Sequence, residues 1–252
     1  MSHDAGTTHP RHQEPTMIAP VQELVALASR ALAAAGHGDL VWGHASARET
    51  DPGTTSDIAV WIKASGWGLE EVTPDRVHLV DAAGRVLAGD GPRHSEYPIH
   101  TEIMAARPDV GGVVHTHSPY VLALAAAGQP LLPVSHAANY FGPHGVPRFT
   151  DTADLILTPD LGKKVAVALG EASAVFLVNH GMVTVGRDLK AATVAAILLE
   201  QAAKQQLLTA TFGGWPTWTA AEESASKRAH IYSESAVDSV WDYLVRQLPD
   251  YP

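Results

Sequence analysis

Cysteine is absent from the 252-residue chain, which removes disulfide staples, thiolate nucleophiles and cysteine-type zinc sites together. Any metal must therefore rest on histidine and carboxylate, and the lack of thiols agrees with a cytoplasmic location. Positive charge is also scarce. Seventeen Lys and Arg stand against 27 Asp and Glu, a net charge of −10, so no cationic field gathers phosphate backbones or anionic lipid. Nucleic acid and membrane are not expected partners. No apolar run reaches the roughly 20 residues of a bilayer span, and the opening stretch MSHDAGTTHPRHQEPT lacks a signal peptide's apolar segment. Residues 1–17 are read as a flexible polar leader and residues 18–252 as one catalytic domain. With 46% hydrophobic and 17% charged residues, the chain has a globular composition. Its length is enough to bury about three quarters of its unfolded surface.

Histidine is plentiful, with 14 in the chain. Imidazole is both a common metal ligand and a proton shuttle near neutral pH, so the places where histidines converge are the places to look for chemistry. His3, His9 and His12 fall in the leader and are set aside.

The spacing of Leu24, Leu27, Ala31 and Leu32 predicts an amphipathic helix over residues 21–36, stopped by Gly36. Residues 58–63 have a strand's composition, and residues 77–81 and 85–87 flank Ala82-Ala83-Gly84 like a hairpin. A helix over 96–107 ends before Pro108. A short strand over 111–117 then runs into a helix that Ser118 would cap, with Pro119 at its first position. Two strands, 174–180 and 182–185, are separated by Gly181 and followed by helices over 188–211 and 221–248. The Gly/Pro-rich stretch 131–149 reads as a long loop, with His136, Tyr140 and His144 as residues able to line an entrance. No repeat or composition shift divides the chain. The expected fold is α/β, a single domain with a mixed, mostly antiparallel central sheet flanked by helices.

His115 and His117 are two apart on the predicted strand, so both rings leave one face and can reach one ion, although the same spacing also suits two surface histidines. His180 ends an apolar strand, where a tight turn at Gly181 would expose its ring and Asn179 could orient it. Glu96 opens the helix that feeds the His115 strand. It reads either as a functional acid or as an ordinary first-turn carboxylate.

Three segments carry a resemblance: His94-Ser95-Glu96-Tyr97-Pro98-Ile99-His100, then residues 106–118 with His115-Thr116-His117, then residues 178–186 with Asn179-His180-Gly181. Together they closely resemble the class II aldolase/adducin family, and the likeness runs from about residue 18 to 248. A glutamate, a histidine pair beginning nineteen residues later and a distant Asn-His-Gly in that order make a specific combination. The resemblance implies that His115, His117 and His180 bind one divalent metal per subunit, Zn²⁺ or Mn²⁺ first, with Fe²⁺ or Co²⁺ as alternatives. It implies that Glu96 is the catalytic acid/base, and that the protein is a homotetramer with active sites at subunit interfaces.

The family's sugar-phosphate aldolases hold phosphate with an Asn after Gly, a Thr/Ser-Gly pair and a Ser-Ser pair before the glutamate. Here those positions read Gly43-His44, Ser65-Gly66 and His94-Ser95. His44, Arg93 and His94 would bring cations to substrate-binding positions, which suits a carboxylate as well as a phosphate. Residues 42–48 and 61–66 look most like the family's decarboxylase branch, with Trp42 read equally as core or as pocket wall. The expected function is a metal-dependent carbon–carbon lyase acting on a small anionic substrate. Decarboxylation of a hydroxylated aromatic or pyridine dicarboxylate through a metal-stabilised enolate comes first, with Glu96 at a raised pKa moving the proton. The alternatives are an aldolase cleaving a sugar phosphate or sugar acid and, on the same fold, an iron(II)-dependent oxygenase.

Overall fold

Short β-branched segments line up as one eight-stranded sheet in a computed structural model that describes residues 20–51, 58–142, 145–213 and 217–249. The leader expected over residues 1–17, with His3, His9 and His12, lies outside the described residues, as does His144. The strands are β1 (His44–Arg48), β2 (Ala59–Lys63), β3 (Val77–Asp81), β4 (Val86–Ala88), β5 (Gly112–Thr116), β6 (Arg148–Phe149), β7 (Ala174–Leu177) and β8 (Gly181–Gly186). Their order is β4-β3-β2-β1-β5-β8-β7-β6. Every pairing is antiparallel except β6 with β7, so the sheet is mixed and mostly antiparallel as expected.

The α-helices are α1 (Val21–Leu32), α2 (Tyr97–Ala106), α3 (Pro119–Ala126), α4 (His136–Asn139), α5 (Pro159–Leu169), α6 (Leu189–Thr211), α7 (Ala221–Ile231) and α8 (Glu234–Arg246). Alternation along the strands divides the core in two. Ala45, Ala47, Val114 and Phe176 face a cluster with Val25, Leu32, Val194 and Trp241, from α1, α6 and α8. Val60, Ile62, Val113, Val175 and Val183 face the other cluster with Ile99, Ile103, Val165 and Leu169, from α2 and α5. Helices therefore cover both sides of the sheet.

Five features differ from the sequence reading. Strand β1 and helix α5 were not anticipated, although Thr158, whose hydroxyl accepts from the Leu161 N–H, and Pro159 form a regular helix start. The single helix expected over 221–248 is two helices, because the chain breaks at Tyr232 and Ser233 caps α8 by accepting from the Ala236 N–H. The stretch 131–149 contains α4 and β6. Ser118 occupies the cap position of α3, but its hydroxyl points to the Met182 sulfur. The carboxylate of Glu200, on α6, takes the Tyr120 and Val121 N–H groups at 3.1 and 3.0 Å.

Candidate metal centre

Strand β5 lies between β1 and β8, with His115 opposite His44 on one side and Val183 on the other. His115 is fully buried and its Nδ1 lies 2.9 Å from the Met182 carbonyl oxygen. A carbonyl only accepts, so Nδ1 carries the proton and Nε2 presents a lone pair. His117 follows the strand's last residue, and its Nδ1 lies 3.0 Å from Asp39 Oδ2, which fixes its ring in the same way. The two Nε2 atoms consequently face each other at 3.1 Å.

His180 sits in the turn between β7 and β8 rather than at a strand end, and its own N–H donates to the Leu177 carbonyl at 3.0 Å. Asn179 adopts φ 60°, the left-handed conformation that lets this turn close. Its contribution is to the backbone. Both His180 ring nitrogens are buried without a hydrogen-bond partner. The ligand atoms of His115, His117 and His180 all lie within 4.8 Å of one another. Gly181 makes this approach possible. A Cβ there would stand 2.8 Å from His117 Cδ2 and the Thr116 carbonyl oxygen, and 2.9 Å from His115 Cε1. Opposed lone pairs together with orphaned buried nitrogens fit a divalent ion held by three neutral imidazoles.

Glu96 is the N-cap residue of α2, 2% exposed, and its Oε1 accepts from the Ile156 N–H at 2.8 Å. Oε1 is 3.5 Å from His180 Nε2, and Oε2 is 3.8 Å from both His44 Nε2 and His115 Nε2. Burial disfavours the carboxylate, but the proximity of His180, His44 and His115 outweighs it and holds the carboxyl well below its usual range. Glu96 is ionised here, in contrast to the raised pKa expected from enclosure.

The cations expected at 44 and 94 are neutral rings. Burial, reinforced by His94, pushes His44 well below the ordinary histidine value. Burial and nearby Lys63 bring His94 down to about 4. Arg93 donates through Nε to the Gly84 carbonyl at 2.6 Å and lies 4.3 Å over the Tyr97 ring, so its guanidinium is engaged at the β3–β4 turn. The Ser65 N–H donates to the Pro92 carbonyl at 3.1 Å, which ties the Ser65-Gly66 turn to the segment bearing His94 and Ser95. Gly66 and Ser95 are exposed and Ser65 is half-buried. Trp42 is 50% exposed and therefore not core. Tyr140 is buried against Phe141 and Tyr232 and does not line an open entrance, while His136 begins α4 at the surface.

Three residues at this site escaped the sequence reading. Asp39 had no distinguishing spacing. His100 lies four residues after Glu96, a one-turn separation that was available as a signal. Lys63 interrupts an apolar strand and is fully buried, its ammonium donating to the carbonyls of Val41, Ala64 and Trp67 at 3.1, 3.2 and 2.6 Å. Burial lowers it to about 8, so it is a protonated internal cation at neutral pH.

The family model described as "Class II Aldolase and Adducin N-terminal domain" matches residues 23–207. A curated relative from Streptomyces roseochromogenus subsp. oscitans, a 4-hydroxy-3-prenylphenylpyruvate oxygenase/4-hydroxy-3-prenylbenzoate synthase, is 34% identical over 179 residues, covering 71% of this chain and 58% of its own length. The chain thus spans under two thirds of that relative. The 3,4-dihydroxyphthalate decarboxylase of Arthrobacter keyseri is 30% identical over 212 residues, covering 79% of this chain and 83% of its own. Among solved structures, an L-fuculose 1-phosphate aldolase from Glaciozyma antarctica PI12 superposes with a TM-score of 0.78 at 25% identity, covering 92% of each chain.

Proposed function

The chain belongs to the class II aldolase and adducin family, and on that premise we propose that it is a divalent-metal-dependent carbon–carbon lyase that decarboxylates a hydroxylated aromatic or pyridine dicarboxylate. One observation carries the metal dependence: the facing Nε2 atoms of His115 and His117, 3.1 Å apart, each with its opposite nitrogen held by an acceptor. His115, His117 and His180 would hold the ion, with Zn²⁺ or Mn²⁺ the first choice and Fe²⁺ or Co²⁺ also compatible with three imidazoles. When bound, a divalent ion with open coordination positions supplies an electron sink beside the scissile carbon.

The chain's own residues do the rest. Ionised Glu96, with Oε1 anchored by the Ile156 N–H, takes the proton of the substrate hydroxyl. The bond to the carboxylate breaks with its electron pair remaining on the ring carbon, carbon dioxide leaves, and Glu96 returns the proton to that carbon. Ser65, Gly66, His94 and Ser95 form the polar rim for the remaining carboxylate, with His44 as a neutral donor rather than a cation. The exposed ring of Trp42 adjoins His44 in sequence and suits a flat aromatic substrate. The reading includes a homotetramer with active sites at subunit interfaces and a cytoplasmic location. Among the described residues, no helix is long and apolar enough to cross a membrane.

The test is metal analysis of protein purified without added ions, followed by incubation with aromatic dicarboxylates and sugar phosphates. Release of carbon dioxide from a dicarboxylate supports the reading. Release of an aldehyde from a sugar phosphate instead establishes the aldolase alternative, which the likeness to the fuculose-phosphate aldolase favours. Oxygen uptake dependent on iron establishes the oxygenase alternative, which the likeness to the Streptomyces oxygenase favours.

A further inference from the structure

His44, Ser46 and His100 form a closed internal chain. His44 Nδ1 lies 2.6 Å from His100 Nε2, and His100 Nδ1 lies 2.6 Å from Ser46 Oγ. All three side chains are fully buried, so water does not stand in for any of these contacts. Strand periodicity puts His44 and Ser46 on the same face of β1, and α2 brings His100 against that face one turn beyond Glu96. Helix and strand are joined through this chain at the point where both contribute to the candidate centre.

Each 2.6 Å contact between neutral groups holds one proton, which leaves two arrangements. In one, the protons run from Ser46 toward His44: the hydroxyl donates to His100 Nδ1, His100 Nε2–H donates to His44 Nδ1, and His44 carries its own proton on Nε2. In the other, the two ring protons change nitrogen, so that His44 Nδ1–H donates to His100 Nε2, His100 Nδ1–H donates to Ser46 Oγ, the hydroxyl turns its own proton away, and His44 Nε2 presents a lone pair. That lone pair would face the Glu96 carboxylate, whose Oε2 is 3.8 Å away. Repulsion between the lone pair and the carboxylate selects the first arrangement.

We infer that Ser46 and His100 are positioning residues that lock His44 in the Nε2–H tautomer, making it a fixed neutral hydrogen-bond donor beside Glu96 and the three-histidine cluster. His44 Nε2 is buried and has no hydrogen-bond partner within the protein. Its acceptor is then an oxygen of the substrate, the one that gains negative charge as the carbon–carbon bond breaks; this step rests on the lyase reading above. The chain cannot deliver a net proton, because passing one along would leave Ser46 as an alkoxide. His44 therefore stabilises charge and keeps its proton. The same tautomer removes Nε2 from metal ligation, so the grouping of His44, His94 and Glu96, whose ligand atoms also lie within 4.8 Å of one another, does not take a second cation.

The experiment uses the metal-free full chain labelled with ¹⁵N-histidine, with the His44 ring signals assigned by difference from His44→Gln and read by long-range ¹⁵N–¹H correlation. The expected result is an Nε2–H tautomer in the unsubstituted protein, a mixture of tautomers in Ser46→Ala, and recovery in Ser46→Thr, which restores the hydroxyl. His100→Gln, whose amide can accept from Ser46 and donate to His44, is a second arm and should retain the Nε2–H tautomer. In the active enzyme Ser46→Ala should lower kcat about tenfold with little change in KM. An Nδ1–H tautomer in the unsubstituted protein, or an unchanged His44 signal in Ser46→Ala, overturns the inference. The tautomer is measured without metal or substrate, so it stands or falls independently of which bond the enzyme breaks.

Discussion

His44 and His115 face each other in register on adjacent antiparallel strands, with ring centroids 4.9 Å apart. The candidate metal group and the substrate-facing polar group are therefore assembled from the middle of the sheet, where hydrogen-bonded neighbours on both sides fix backbone position. Segments outside the strands supply Asp39, the Ser65-Gly66 turn, the His94-Ser95-Glu96 approach to α2, His117 and the His180 turn. His115 on β5, His117 just past its end and His180 in the turn before β8 are held to this strand pair, and that makes the following outcomes specific.

Replacing one ring should remove the ion and leave the fold. His117→Ala is expected to retain the circular dichroism of the parent while losing bound metal and turnover. Asp39→Asn keeps the ring but weakens the acceptor that orients it, and should reduce metal affinity about 10–100-fold. Metal stoichiometry and competition against a chelator measure both, and full occupancy in His117→Ala would take this residue out of the ligand set.

Glu96→Gln preserves the acceptor for the Ile156 N–H through its amide oxygen and removes the base. Metal content should be unchanged while turnover falls by about 10²–10⁴-fold. A variant that turns over at the parent rate would reassign the proton-transfer role.

Gly181→Ala tests the close approach of the histidine rings. The added methyl has to displace His115 and His117 or the Thr116 carbonyl, so we expect a loss of stability of about 1–3 kcal/mol together with weaker metal binding. Thermal unfolding and metal titration on the same sample separate the two effects. An unaltered metal affinity would mean that the rings tolerate the shift.

Lys63 gives a pH signature. Burial holds its folded value near 8 against an ordinary 10.5. Below pH 8 the ammonium is present in both folded and unfolded chains, and its burial cost is fully felt. Between the two values the unfolded chain binds more protons, so stability from this position rises with pH, by up to about 3 kcal/mol on reaching the ordinary value. Lys63→Met should abolish that rise. Urea unfolding of parent and variant at pH 7 and pH 10 measures it, and parallel behaviour of the two proteins would contradict the assignment.

Elements with strong periodicity or clear stops were legible from the sequence: α1, α2, β2, the β3–β4 hairpin and the glycine-marked turn at 181. The His115, His117 and His180 trio and Glu96 were legible through motif order, because the residue types that converge also recur in a recognisable sequence. What escaped notice depends on tertiary contact. Strand β1 is short and carries His44 and Ser46 at positions that look polar until α2 covers them. His44 and His94 read as cations because histidine charge cannot be judged without burial, and both prove neutral. Arg93 looked free to meet an anion until the Gly84 carbonyl and the Tyr97 ring claimed it. Asp39 gains meaning only from His117, 78 positions away.

The carboxylate of Glu200 makes the longest helix a remote anchor for this chemistry. By gripping the chain three residues beyond His117, it transmits the seating of α6 against the sheet directly to one of the rings. Replacing buried Glu200 is therefore a way to disturb the candidate metal centre from a position that motif inspection around the histidines passes over.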